Sequence, residues 1–267
     1  PKSTAMYLPG TSTKILPGGY FSSLLANQAG VDVESILGWD LLVFDTQKGA
    51  IWGKGDEFIS SARLDNLASC HAGLLALLDE DSLNSGNTLV CAFFDHEEIG
   101  SESKQGAAGS FLPDVLQRIQ YTVGLTMAEN YQVNAKSFLV SADMAHAYQP
   151  NFPHAYDHNH KVMVNRGPVI KTNANQRYSS ESISEGYFIE WCRQAGAPYQ
   201  RYSHRCDLPC GSTIGPIVSA KLGIRSVDIG NPLWAMHSIR ESAGVEDHAY
   251  LTDVLKAYFK SESSIAI

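Results

Sequence analysis

The apolar run Thr88-Leu-Val-Cys-Ala-Phe-Phe94 leads directly into Asp95-His96-Glu97-Glu98-Ile99-Gly100. A buried strand that ends on two adjacent carboxylates narrows what the chain can be, because open α/β sheets collect ligands and chemistry at the carboxyl ends of their strands. Two neighbouring glutamates there can divide the work of a hydrolase. One holds a metal ion, and the other takes a proton from metal-bound water. Taken alone, the same residues also read as a solvated acidic turn.

Further ligand-type side chains arrive in the same setting. Ser137-Phe-Leu-Val-Ser-Ala142 is a second strand-like run and ends at Asp143, and Arg225 to Gly230 is a third, whose following loop delivers His237. Asp65 precedes Leu67 to Leu78, where the apolar spacing suits an amphipathic helix; by itself it also suits a helix N-cap. A lone His237 would equally serve as a structural residue. Together, two aspartates, a glutamate and a histidine form the oxygen and nitrogen donor set preferred by zinc or a similar divalent ion.

Five segments, taken in order, resemble the aspartyl aminopeptidases: Ala62-Arg-Leu-Asp65-Asn66, Asp95-His-Glu97-Glu98-Ile-Gly-Ser101, Ser141-Ala-Asp143-Met-Ala-His146, Gly167-Pro-Val-Ile-Lys171 and Ala235-Met-His237-Ser-Ile-Arg-Glu241. The resemblance runs from about Leu24 to about Phe259. It implies a three-layer α/β/α sandwich around a mixed, mostly parallel sheet. It further implies two zinc ions, with Mn²⁺ or Co²⁺ as substitutes, bridged by Asp65. Glu98 and His237 would complete one position, Asp143 would belong to the other, and Glu97 would be the general base. Lys171 would take the side-chain carboxylate of a peptide with N-terminal Asp or Glu, and Tyr178 and Gly211 would line the pocket. The family forms homo-oligomers, often dodecamers.

One family motif is missing. No His precedes His71, and the His-Thr-Asp-Ser-Pro segment that supplies the last ligand of the second metal does not occur. The segment Leu24 to Gly38 resembles the tail of the family's inserted dimerisation domain. The expected organisation is therefore a remnant of that insertion over residues 1–56 and a catalytic domain over 57–267, with the first part of the family's catalytic domain lying upstream of Pro1. His154, His158 and His160 are the in-chain candidates to replace the absent ligand, with His158 placed at the mouth of the site. Two other readings are a non-catalytic relative that acts in assembly or binding, and a two-metal peptidase of glutamyl or leucyl specificity.

Composition fits this picture. Hydrophobic residues make up 44 % and charged residues 18 % of the 267, with a net charge of -8. An acidic chain without basic clusters is not a nucleic-acid binder, and no apolar run approaches the roughly 18 residues of a membrane span. Walker and G-x-S-x-G motifs are absent. The five cysteines include Cys206-x-x-x-Cys210, a spacing that fits no common zinc motif, so reduced thiols in a cytoplasmic protein are expected. Strands are expected near 41–46, 88–94, 137–142, 167–172 and 225–229. Helices are expected behind a Ser182-x-x-Glu185 capping box and over Leu251, Val254, Leu255 and Tyr258.

Overall fold

The structure is a computed structural model that describes residues 18–261. The first 17 residues of the expected remnant over 1–56 lie outside them. Contacts divide the chain into two units, one ending at Phe44 and one beginning at Asp45. The first contains helix α1 (Gly18–Ala29).

In the second unit the chain runs β1 (Ala50–Trp52), β2 (Phe58–Ser61), α2 (Leu64–Leu77), α3 (Glu80–Leu83), α4 (Phe111–Thr122), α5 (Met127–Lys136), β3 (Phe138–Ala142), β4 (Ala145–His146) and β5 (Val169–Thr172). It continues through α6 (Ser182–Gln194), β6 (Gln200–Ser203), α7 (Ile214–Leu222), β7 (Arg225–Gly230), β8 (Pro232–Trp234), β9 (Glu241–Gly244) and α8 (Val245–Lys260). One sheet has the order β3-β7-β5-β6, with β3–β7 and β5–β6 parallel and β5–β7 antiparallel. The other, β1-β2-β9-β8-β4, is antiparallel except at β4–β8.

Side-chain alternation along the strands builds the layers. Val227 and Ile229 of β7 and Ile170 of β5 bury against Ala72 and Ala76 of α2, Phe188 and Trp191 of α6, and Leu251, Val254 and Leu255 of α8. On the opposite face Leu139 of β3 meets Leu112 of α4 and Val218 of α7. Helices thus cover both faces of a mixed sheet, as expected. Each of the fully buried aliphatic side chains contributes roughly 1.5–3 kcal/mol by leaving water.

The pair β3–β7 passes into the pair β4–β8 without losing register: Asp143 N donates to Ile229 O and Ala145 N to Asn231 O (2.9 and 2.8 Å). At this bend the two backbones nearly touch. A Cβ on Gly230 would lie 1.7 Å from the Asp143 carbonyl oxygen, so only glycine fits. The close approach fixes where Asp143 leaves the sheet.

Three expected elements differ. Residues 41–46 form no strand, and neither does the run 88–94. The latter keeps strand-like alternation: Leu89 packs with α2 and α8, and Ala92 and Phe94 with α4 and α7. It forms no ladder with any described strand. The capping box of α6 is shifted by one residue. Glu181 is the N-cap and Ser184 its reciprocal partner, because Glu181, not Ser182, holds the extended conformation a cap requires.

Candidate metal centre

Three loops bring the site together. Asp65 enters from β2 at the head of α2, Glu98 from a short 3₁₀ turn (Glu97–Ile99) after the apolar run, and His237 from the loop between β8 and β9. One donor atom from each of the three lies within 4.8 Å of the others. His237 Nε2 stands 2.8 Å from Glu98 Oε2 and 3.2 Å from Asp65 Oδ2. Asp65 does not act as an N-cap. Its extended ψ (111°) would allow a cap, but it makes no capping bond, and its Oδ1 is buried without a hydrogen-bond partner among the described residues.

Backbone strain gathers around these residues. Arg63, His96, Ala235 and His237 all have positive φ between 57° and 65°. Side chains in this region cost of order 1–3 kcal/mol each and persist where surrounding structure enforces them, commonly at functional sites. Glu241 provides part of that enforcement. Its fully buried carboxylate accepts from His237 N through Oε1 (2.7 Å) and from Asp65 N through Oε2 (2.9 Å). Glu241 had stood out in the sequence only as the end of a motif. Its holding role depends on a long-range contact to Asp65 that no local pattern displays.

Negative charge dominates the electrostatics. Burial, then Asp143, Glu98 and Glu241, push the Asp65 carboxyl up to about 8. Burial, then Asp143 and Glu98, push Glu97 up to about 7. Lys171 opposes both shifts. A cluster of carboxylates with one unsatisfied buried oxygen, closed by an imidazole, calls for a cation. The donor set fits zinc or a related divalent ion.

The other candidates fall in different places. Asp143 is not one of the three convergent residues: its Oδ2 pairs with Lys171 Nζ at 3.1 Å. Lys171 is 3 % exposed; it also donates to Met144 O (2.7 Å) and sits 5.6 Å from the Tyr178 ring centroid. Tyr178 is buried, with Cys210 Sγ 3.6 Å from its hydroxyl. Gly211 is exposed, with open space where a side chain would stand. His158 is exposed on a loop, its neighbour His160 pairs with Asp157 (2.7 Å), and the three histidines of that loop are not brought to His237.

The structure also adds Asp228, which the sequence reading passed over inside a strand. Fully buried on β7, it accepts from Ser179 N (2.5 Å), Ser179 Oγ (2.7 Å) and Thr213 Oγ1 (2.6 Å). It thereby laces the loop after Tyr178 to the loop after Gly211. A Cβ on Gly215 would come within 2.2 Å of its Oδ2.

Comparisons with known proteins agree with this geometry. The Aminopeptidase I zinc metalloprotease (M18) family pattern matches residues 17–259. A probable M18 family aminopeptidase 2 of Pseudomonas savastanoi pv. phaseolicola is 46 % identical over 238 residues, which is 89 % of this chain and 54 % of that protein. One of the same description from Clostridium acetobutylicum is 43 % identical, covering 90 % and 55 %. Among solved structures, a chain in the complex of Ape4 and Nbr1 superposes with a TM-score of 0.83 at 40 % identity, over 90 % of this chain and 48 % of that one. Yeast aminopeptidase 1 superposes with a TM-score of 0.78 at 30 % identity, over 91 % and 55 %. The chain thus spans about half the length of the curated relatives it matches. With the family pattern running over nearly all of it, the chain belongs to the M18 aminopeptidase family.

Proposed function

We propose that the chain carries the catalytic machinery of a metalloaminopeptidase that cleaves the first peptide bond of substrates with N-terminal Asp or Glu. The convergence of Asp65, Glu98 and His237 beside Glu97 is the observation that carries this reading. In it these three residues hold a zinc ion, or Mn²⁺ or Co²⁺ in its place, and Asp143 belongs to a second position completed from outside the described residues. Bound there, the metal supplies Lewis acidity and lowers the pKa of a coordinated water from 15.7 toward about 7.

The chain's own groups do the rest. Glu97, half-buried and poised near neutrality, accepts a proton from the attacking water and returns it to the leaving amine. Glu241 keeps His237 and Asp65 in register through their backbones. Lys171 offers a cation in a wall that is otherwise acidic or neutral. It commits two of its three donors to Asp143 and Met144, and the third is available to a substrate carboxylate. A local cation is needed because a net charge of -8 repels acidic peptides at long range.

In this reading the division near Asp56 separates a remnant of the dimerisation insertion from the catalytic domain, and the working particle is a homo-oligomer; one matched yeast structure is described as a dodecamer. The protein would work in the cytoplasm. The test is the initial rate of release of Asp, Glu and Leu from matched peptides by the metal-loaded protein. Faster release of the acidic residues supports the reading. Equal or faster release of Leu refutes the acidic specificity, and no release from folded, metal-loaded protein refutes the aminopeptidase.

A further inference from the structure

A cleft of about 430 Å³ is lined in part by Tyr202, the register partner of Lys171, and nothing so far assigned accounts for it. Its walls include His146 at the end of β4, Tyr156, Tyr202 of β6, His204 just beyond β6, and Leu208. In the sheet Lys171 stands opposite Tyr202, so their side chains share a face. The Tyr178 ring links the two, 5.6 Å from the Lys171 ammonium and 6.5 Å from the Tyr202 ring. His204 follows Tyr202 by two residues, the spacing that keeps a side chain on the same side of an extended chain.

The proton on His204 can be placed. Tyr202 Oη lies 2.6 Å from His204 Nδ1, and among the described residues this is the only hydrogen bond of the hydroxyl. A phenol needs an acceptor for its proton, so the hydroxyl donates and Nδ1 accepts. The imidazole proton then sits on Nε2. That Nε2 is buried and has no partner among the described residues. His204, one of the residues that line the cleft, therefore carries a fixed donor that lacks an acceptor.

A carboxylate offers about four acceptor positions, and Lys171 has one donor left. A substrate carboxylate held by Lys171 alone would enter a largely apolar pocket under-satisfied. We propose that His204 is a second recognition group for the acidic side chain of the substrate, donating from Nε2 to the carboxylate that Lys171 engages. This assignment rests on the proposed preference for N-terminal Asp or Glu, and it makes His204 a specificity residue that plays no part in the bond cleavage.

The test compares KM and kcat of the metal-loaded protein and three variants on matched Asp-, Glu- and Leu-peptides. His204→Phe keeps a ring and removes the donor. It should raise KM for the acidic peptides roughly 10- to 100-fold, the range for a hydrogen bond to a charged group, with kcat within about threefold and the Leu-peptide KM unchanged. His204→Gln returns a terminal N–H and should recover part of the loss. Tyr202→Phe keeps the packing and frees the tautomer, so it should give a smaller rise confined to the acidic peptides, and it decides the matter if His204→Phe does not fold. A KM rise of the same size on all three peptides, or none, overturns the assignment while the acidic preference of the unaltered protein stands. If the unaltered protein itself shows no acidic preference, the functional reading falls and this inference falls with it.

Discussion

Glu97 and Glu98 are adjacent in sequence, yet the fold gives them different surroundings. Glu98 reaches His237, whereas Glu97 stays out of that contact and is pushed up to about 7 by burial and by the charges of Asp143 and Glu98. Glu97→Gln should therefore lower kcat by about 10²–10⁴, the usual worth of a general base, without releasing metal. Glu241 touches none of the three convergent side chains, only backbone N–H groups beneath two of them. Glu241→Gln keeps the shape but replaces one acceptor oxygen with a donor that faces an N–H. Outer supports of this kind typically cost 10- to 100-fold in metal affinity, which competition with a chelator would reveal. The donors themselves were legible as residue types at the ends of apolar runs. Glu241, Asp228 and His204 were not, since each acts through a contact between segments far apart in sequence.

Among the elements, the sequence pattern was sound where a strand finds its ladder within the described chain. Expected strands at 137–142, 167–172 and 225–229 correspond to β3, β5 and β7, and the apolar repeat at Leu251, Val254 and Leu255 is the buried face of α8. It was less sound for 41–46 and 88–94, because hydrophobicity predicts burial but pairing needs a partner. The short second sheet was missed, since strands of two to four residues leave almost no periodic signal. The lacing at Asp228 yields a prediction at this scale. Thr213→Val removes one donor from a buried carboxylate and should cost about 1–3 kcal/mol of stability, measurable by urea denaturation.

A second prediction concerns the junction of α2 and α8, where His71 Nδ1 and His248 Nε2 are 2.9 Å apart with stacked rings. Burial, then His71, holds the His248 pKa below its ordinary value of 6.5. The unfolded chain therefore binds the proton more readily than the folded one. The pair's stability contribution is complete above about pH 6.5 and is lost as the pH falls below it. His248→Leu should abolish this loss, so the urea midpoint of the variant relative to the unaltered protein should rise between pH 7.5 and 5.5.

At the scale of the whole molecule, charge and site oppose one another. A chain with a net charge of -8 repels the acidic peptides that Lys171 would select. Added salt screens that repulsion over a Debye length of about 8–10 Å near physiological strength. Raising ionic strength from 20 to 200 mM should accordingly increase kcat/KM for an Asp-peptide a few-fold and leave a Leu-peptide nearly unaffected. Large apolar side chains also stand in solvent, among them Leu67, Leu74 and Leu78 along α2. Exposed apolar surface of this kind marks interaction sites, in keeping with the proposed assembly.

The central claim is that Asp65, Glu98 and His237 hold the metal that Glu97 serves. The most direct test is bound metal per chain, determined by elemental analysis beside turnover for the unaltered protein, His237→Ala and Glu97→Gln. The account predicts that His237→Ala loses metal and turnover together, whereas Glu97→Gln keeps its metal and loses turnover alone. Full metal content in His237→Ala, or normal turnover in Glu97→Gln, would contradict it.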